Sequence, residues 1–206
     1  MAFKQISSPH GHNPQSTSWI MQLVLLSTLP GFLALSYQFG WGTFINLIIA
    51  VVTSLIAESA ILALRNRPIA FYLKDYSAAV TAVLLALALP PLVPWWVVVV
   101  GSLFSIVVAK QLYGGIGYNP FNPAMVGYVV LLISFPIEMT SWVTPISLLP
   151  EGVTHPGLWE SLSIVFAGNT PVDGVTGATP LDLFKHSNGL VVDQIYQNEA
   201  LFSQAS

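Results

Sequence analysis

Two apolar runs follow each other in this chain, Trp19 to Phe39 and Phe44 to Leu64, and the only charged side chain within them is Glu58. At 1.5 Å of rise per residue each run makes a helix of roughly 30 Å, the hydrocarbon thickness of a bilayer. They are joined by little more than Gly40-Trp41-Gly42, so they read as an antiparallel helical hairpin. The rest of the chain offers too little polar surface to cover such helices in water. Charged residues make up 7% of the whole against 54% hydrophobic, where a soluble domain carries about 25% charged. Three shorter apolar segments follow, at about 77–89, 95–111 and 124–135. Pro90-Pro91 stops the first, Pro94-Trp95-Trp96 opens the second as an interface anchor, and Pro136 stops the third. The predicted fold is an all-α integral membrane protein with about five transmembrane helices. Residues 1–18 form a leader, 19–135 a membrane domain and 136–206 an extramembrane segment.

Charge orients this plan. Lys4 lies in the leader, Arg65, Arg67 and Lys74 lie between the second and third spans, and Lys110 lies at the end of the fourth. Five spans put all of these on one side, which the positive-inside rule makes cytoplasmic. The segment after Pro136 then lies outside, and it holds seven of the nine acids with Lys185 as its one base. A net charge of −3 excludes a basic nucleic-acid binder. Cysteine is absent, so the chain holds no disulfide and no cysteine-ligated cluster. His10 and His12 sit in a Pro/Gly/Ser-rich tail and read as solvated; no metal site is expected.

Glu58 is a candidate for an ion or proton path, because an acid within a span is costly unless it is paired or used. The plainer alternative is that it snorkels, or pairs with Arg65 or across the bundle. Asn46 on the same span reads as an interhelical hydrogen-bond donor. Residues 110–124 hold Gly114, Gly115, Gly117, Asn119-Pro120 and Asn122-Pro123. The glycines permit positive φ, and Asn122 with Pro123 suits the cap and first turn of the fifth span. The loop is either a tight connection or the lining of a cofactor site or ion path. Residues 173–182 place Asp173, Thr176, Gly177, Ala178 and Thr179 before Pro180, with a short helix expected from Leu181 to Lys185. That arrangement is either an exposed turn or a place for a phosphate at a helix start.

Together the run from Ala109 to Pro136 and the motif from Asp173 to Thr179 resemble the D-subunit family of the bacterial Rnf/Rsx electron-transport complex. That family is similar to the B subunit of the sodium-pumping NADH:quinone oxidoreductase. The leader Ser7-Ser8-Pro9-His10 and the stretch Pro90 to Trp96 share in the resemblance, which extends over essentially the whole chain. The resemblance implies FMN joined through its phosphate to the hydroxyl of Thr179. Asp173, Thr176, Gly177 and Ala178 would complete the motif read by a flavin transferase on the periplasmic side. A second, non-covalent flavin is left open. It further implies residence in the bacterial inner membrane and partner subunits that supply iron–sulfur and other flavin centres. Electron flow there would be coupled to Na⁺ or H⁺. Members of the family continue with further membrane spans, so this chain is expected to correspond to their first half.

Two other readings remain. One is half of an ion channel or transporter without flavin, built around Glu58 and the Gly/Asn/Pro loop. The other is a truncated product without function. Independent enzymatic activity is not expected of this polypeptide alone.

Overall fold

The structure, a computed structural model, describes residues 16–149 and 154–168. Its regular elements among these residues are helices. The first, α1 (Thr17–Phe39), starts where the Ser16 hydroxyl accepts from the Trp19 amide at 3.3 Å. It ends at Gly40, whose φ of +77° suits a residue without a side chain. A two-residue turn leads into α2 (Gly42–Leu64). Among the described residues, these two helices alone are long and apolar enough to cross a membrane by length and composition. A five-residue helix, α3 (Ile69–Leu73), falls in the basic connection, where the pattern gave no helix signal.

Next come α4 (Ser77–Ala88) and α5 (Trp95–Leu103), and α5 runs on without a break as a π-helix, Phe104–Gln111. The expected single apolar segment is therefore continuous but changes helix type halfway. After the glycine loop, Asn122 accepts from the Ala124 amide at 3.0 Å and Pro123 takes the first position of α6 (Pro123–Ser134), as the Asn-Pro pattern predicts. Two short helices, α7 (Pro136–Thr140) and α8 (Leu158–Ala167), belong to the segment beyond it. The expected helix at Leu181 to Lys185 lies outside the described residues.

The outside of the bundle is apolar, and part of its inside is polar. α2 buries Thr43, Asn46, Ser54 and Glu58 on one face, while Ile48, Val52 and Ile56 on the other are at least half exposed. Leu26 and Leu33 of α1 are likewise exposed. A helix in water would do the reverse; this distribution is stable where the surroundings are as apolar as the side chains. The centre, between α2, α4, α5 and α6, is built of Ala50, Ala82, Leu85, Ala86, Val97, Val98 and Leu131.

Small residues let the backbones touch. A β-carbon on Gly127 of α6 would lie 2.0 Å from the Ser105 hydroxyl and 2.6 Å from the Gly101 carbonyl. A β-carbon on Gly42 would lie 2.1 Å from the Pro91 carbonyl, and Asn46 donates to the Pro90 carbonyl at 2.8 Å. The Pro90-Pro91 loop is thereby pinned to the first turns of α2. At the same end, His155 packs on Gly40, with its Nε2 2.9 Å from the Gln38 carbonyl. Phe166 of α8 stacks on Trp95, with ring centroids 6.3 Å apart.

Candidate functional site

The opposite end of the bundle, where Arg65, Arg67 and Lys74 lie, contains a buried ionic cluster. Glu58 reaches it from α2, six residues before the helix ends. Lys110 and Gln111 reach it from the last turn of the π-helix. A π-helix holds more residues per turn than an α-helix, and π-turns inside α-helices are frequent at functional sites. Here both consecutive side chains meet one carboxylate. Lys110 Nζ lies 2.5 Å from Glu58 Oε1, and Gln111 Nε2 donates to the same oxygen at 2.8 Å. The Lys110 and Glu58 side chains are 3% and 2% exposed.

A third strand of the network comes from the start of α4. Tyr76 takes a left-handed conformation, φ +60°, and this turns Asp75 back over the helix start. Asp75 Oδ1 accepts from the Ser77 amide at 2.8 Å and from the Ser77 hydroxyl at 2.5 Å. Lys110 Nζ donates to that same hydroxyl at 2.6 Å. Asp75, Ser77, Lys110 and Glu58 thus form one unbroken hydrogen-bonded chain. The carboxylate's other oxygen, Oε2, is buried and has no hydrogen-bond partner among the described residues.

Pairing is what makes this burial affordable. An isolated charge in such a place costs several kcal/mol even after relaxation. Each charge here meets an opposite charge and a second hydrogen-bonding group. The partner of Glu58 is Lys110, not the nearby Arg65, which is exposed at the end of α2.

Two cavities flank Lys110. The larger, about 420 Å³, is lined by Glu58, Asp75, Lys110, Gln111, Gly114 and Gly115, with Arg67, Tyr72, Tyr113 and Tyr118 around it. The Arg67 guanidinium lies 5.6 Å from the centre of the Tyr72 ring, within cation–π range. The smaller, about 170 Å³, takes in Ser77, Lys110, Asn119 and Asn122. Gly114 and Gly115 wall the larger cavity with bare backbone at φ of +111° and +107°, and Gly117 beyond them in the loop has φ +85°. Asn119 is held by donating to the Phe121 carbonyl at 2.8 Å.

The structure therefore brings Glu58, Gly114 and Gly115 together at one cavity and places Asn119 and Asn122 at its neighbour. Asp173, Thr176, Gly177, Ala178 and Thr179 lie outside the described residues. Lys110, Gln111, Asp75 and Ser77 are members of the site that sequence reasoning did not select. The signal for Lys110 was present in its place at the end of a largely apolar stretch, Phe104 to Ala109. Among the described residues no group of three His, Asp or Glu side chains could hold a metal ion.

A model of the NQR2, RnfD, RnfE family matches residues 4–205. The chain belongs to the NQR2, RnfD, RnfE family. With that membership and its apolar helices, it is an all-α membrane protein. It is 51% identical to the D subunit of the ion-translocating oxidoreductase complex of Citrobacter koseri, over 96% of this chain and 59% of that one. The corresponding protein of Escherichia fergusonii is 50% identical over the same shares. That of Salmonella paratyphi A is 49% identical, again over 96% of this chain and 59% of the relative. The chain thus spans about three fifths of the length of the curated relatives it matches.

Proposed function

We propose that this chain serves as a membrane subunit of an ion-translocating electron-transport complex and carries electrons through FMN esterified to Thr179. The observation that carries the reading is a buried ion pair with its hydrogen-bonded neighbours beside a cavity, in a chain of this family. Such a cluster at membrane depth is what charge movement requires and what packing alone does not. Glu58 and Lys110 line the ion path, with Gly114, Gly115, Asn119 and Asn122 shaping the space beside them. The coupled ion is Na⁺ or H⁺.

The family's FMN supplies the redox chemistry when bound; the chain supplies its attachment and surroundings. Thr179 offers the hydroxyl, and Asp173, Thr176, Gly177 and Ala178 complete the motif for the transferase. The family resemblance favours the inner membrane, and the positive-inside rule puts the basic end in the cytoplasm and the flavin segment in the periplasm. Partner subunits provide the iron–sulfur and further flavin centres. A second, non-covalent flavin would have the larger cavity available. That cavity's volume is in the range of small-molecule sites, and Tyr72, Tyr113 and Tyr118 line it.

The test is in-gel flavin fluorescence of denatured protein co-expressed with an active flavin transferase, beside Thr179→Ala. A fluorescent band lost in the variant is expected. A dark wild-type band would refute the flavin reading and favour an ion path without flavin, for which the Glu58 cluster is the specific support.

A further inference from the structure

The hydrogen bonds of the Glu58 cluster have a direction. The Ser77 hydroxyl has one proton, and it points that proton at Asp75 Oδ1 at 2.5 Å. Its lone pairs are left for Lys110, which donates at 2.6 Å. Lys110 in turn lies 2.5 Å from Glu58 Oε1. Asp75, Lys110 and Glu58 all border the larger cavity, but of the four residues Asp75 alone is partly exposed, while Ser77, Lys110 and Glu58 are buried. The buried end of the chain is Glu58 Oε2, which is unpartnered among the described residues. One turn earlier on the same helix, the Ser54 hydroxyl is a second buried oxygen without a partner among them. The chain thus runs from a partly exposed carboxylate at Asp75 to a buried oxygen of Glu58 that has no partner among the described residues.

We infer that Glu58, Lys110, Ser77 and Asp75 form a proton relay from the buried carboxyl group to the cavity. The inference rests on the ion-translocating reading and does not involve the flavin. A proton arriving on the Glu58 carboxyl passes across the pair as Lys110 hands on one of its own. Lys110 gives an N–H proton to Ser77 Oγ while the Ser77 O–H proton moves to Asp75 Oδ1. The resulting neutral amine takes the Glu58 proton and is an ammonium again. Asp75, now a neutral carboxyl group, loses its proton to water in the cavity. One proton has moved from Glu58 to solvent, and every group has regained its starting charge.

Each residue fits its part. Lysine has three donor positions and an amine that can lose and regain a proton, whereas a guanidinium in a protein does not deprotonate. Serine both donates and accepts, so it can pass a proton without becoming charged. The Ser77 backbone amide also donates to Asp75 Oδ1, so the carboxylate keeps one anchor that does not depend on the hydroxyl. The charged and titratable groups that face Lys110 are Glu58 from α2 and, through Ser77, Asp75 before α4. Arg67, Tyr72, Tyr113 and Tyr118 share the cavity wall and are not links in the chain.

The relay predicts how fast Lys110 exchanges protons with water. The full chain, labelled with ¹⁵N-lysine and held in lipid bilayers, has four lysines, Lys4, Lys74, Lys110 and Lys185. Loss of one signal in Lys110→Arg assigns the buried one. Nζ–H exchange is then followed by solid-state nuclear magnetic resonance over a range of pH. Ser77→Ala and Asp75→Asn should each slow exchange at least tenfold. Ser77→Thr, which restores a hydroxyl, should return it toward the wild-type rate, and Tyr113→Phe should leave it unchanged. If exchange is as fast in both Ser77→Ala and Asp75→Asn as in the wild type, Lys110 meets cavity water directly and the relay is refuted. Slowing that Ser77→Thr does not reverse would also refute it, because packing rather than the hydroxyl would be responsible. A dark band in the flavin experiment leaves this measurement untouched.

Discussion

Replacing Lys110 by methionine keeps the length of the side chain and removes its charge. Glu58 Oε1 then loses the closer of its two partners and keeps only Gln111 at 2.8 Å. The carboxylate stays where it is, 2% exposed, with its second oxygen still unpartnered among the described residues. Breaking a buried pair from one side costs about 3–5 kcal/mol, mostly as the penalty of the charge left behind. Glu58→Gln strands the ammonium in the same way, with the Ser77 hydroxyl as its anchor, and should cost about as much. The double variant Glu58→Gln/Lys110→Met buries no charge at all. It should lie within about 1 kcal/mol of the wild type, since pairs replaced together are often neutral in effect. The assay is reversible unfolding in detergent micelles, read by tryptophan fluorescence, with the four proteins forming a double-mutant cycle. If Lys110→Met costs less than about 1 kcal/mol, or the double variant is as unstable as the worse single one, the cluster is not sealed from solvent and the energetic reasoning fails.

Gly127→Ala should destabilise by about 1–3 kcal/mol in the same assay, because its β-carbon would meet the Gly101 carbonyl at 2.6 Å, a backbone atom that cannot swing away. Ser105→Ala should therefore not rescue it, and full rescue would show that the hydroxyl was the only obstacle. A β-carbon on Gly115 would have nothing within 4 Å, so the constraint there is purely its φ of +107°. Gly115→Val should cost about 1–3 kcal/mol and Gly115→Asn distinctly less, and equal costs would argue against backbone strain as the cause. Burial lowers the pKa of His155 from its usual 6.5, partly opposed by the bond to the Gln38 carbonyl. Its stabilising contribution is therefore complete above 6.5 and is lost as pH falls toward the lowered value. The thermal midpoint should fall over that window in the wild type and stay flatter in His155→Gln; identical slopes would overturn the assignment.

Helix ends were readable wherever a residue has only one thing it can do. Asn122-Pro123 starts α6 and Gly40 ends α1, because a cap, a missing N–H and a positive φ are local properties. Asn46 was likewise legible as a donor, and its acceptor proved to be the Pro90 carbonyl. Glu58 stood out because a lone acid in an apolar run demands a partner. The identity of that partner was not legible. Lys110 lies 52 positions away, on a helix that has changed type by the point where it meets the carboxylate. Propensity and periodicity give no sign of that change: Phe104 to Ala109 reads like the α-helical segments nearby. Asp75 and Ser77 were hidden for another reason. In one dimension they are polar residues in a basic connection, and only the left-handed Tyr76 folds them onto Lys110.

The π-helix has a consequence for chain length. Its bonds run five residues back, as from the Leu112 amide to the Val107 carbonyl at 3.0 Å, so each turn holds about one residue more than an α-turn. That surplus is slack. Deleting one residue from α2 would swing everything beyond it by near 100° about the axis. Deleting one between Phe104 and Ala109 can instead be taken up by the backbone tightening into α-helix, with both ends left near their present orientation. This stretch is where the membrane part of the chain can shorten by a residue and still deliver its lysine to the same carboxylate.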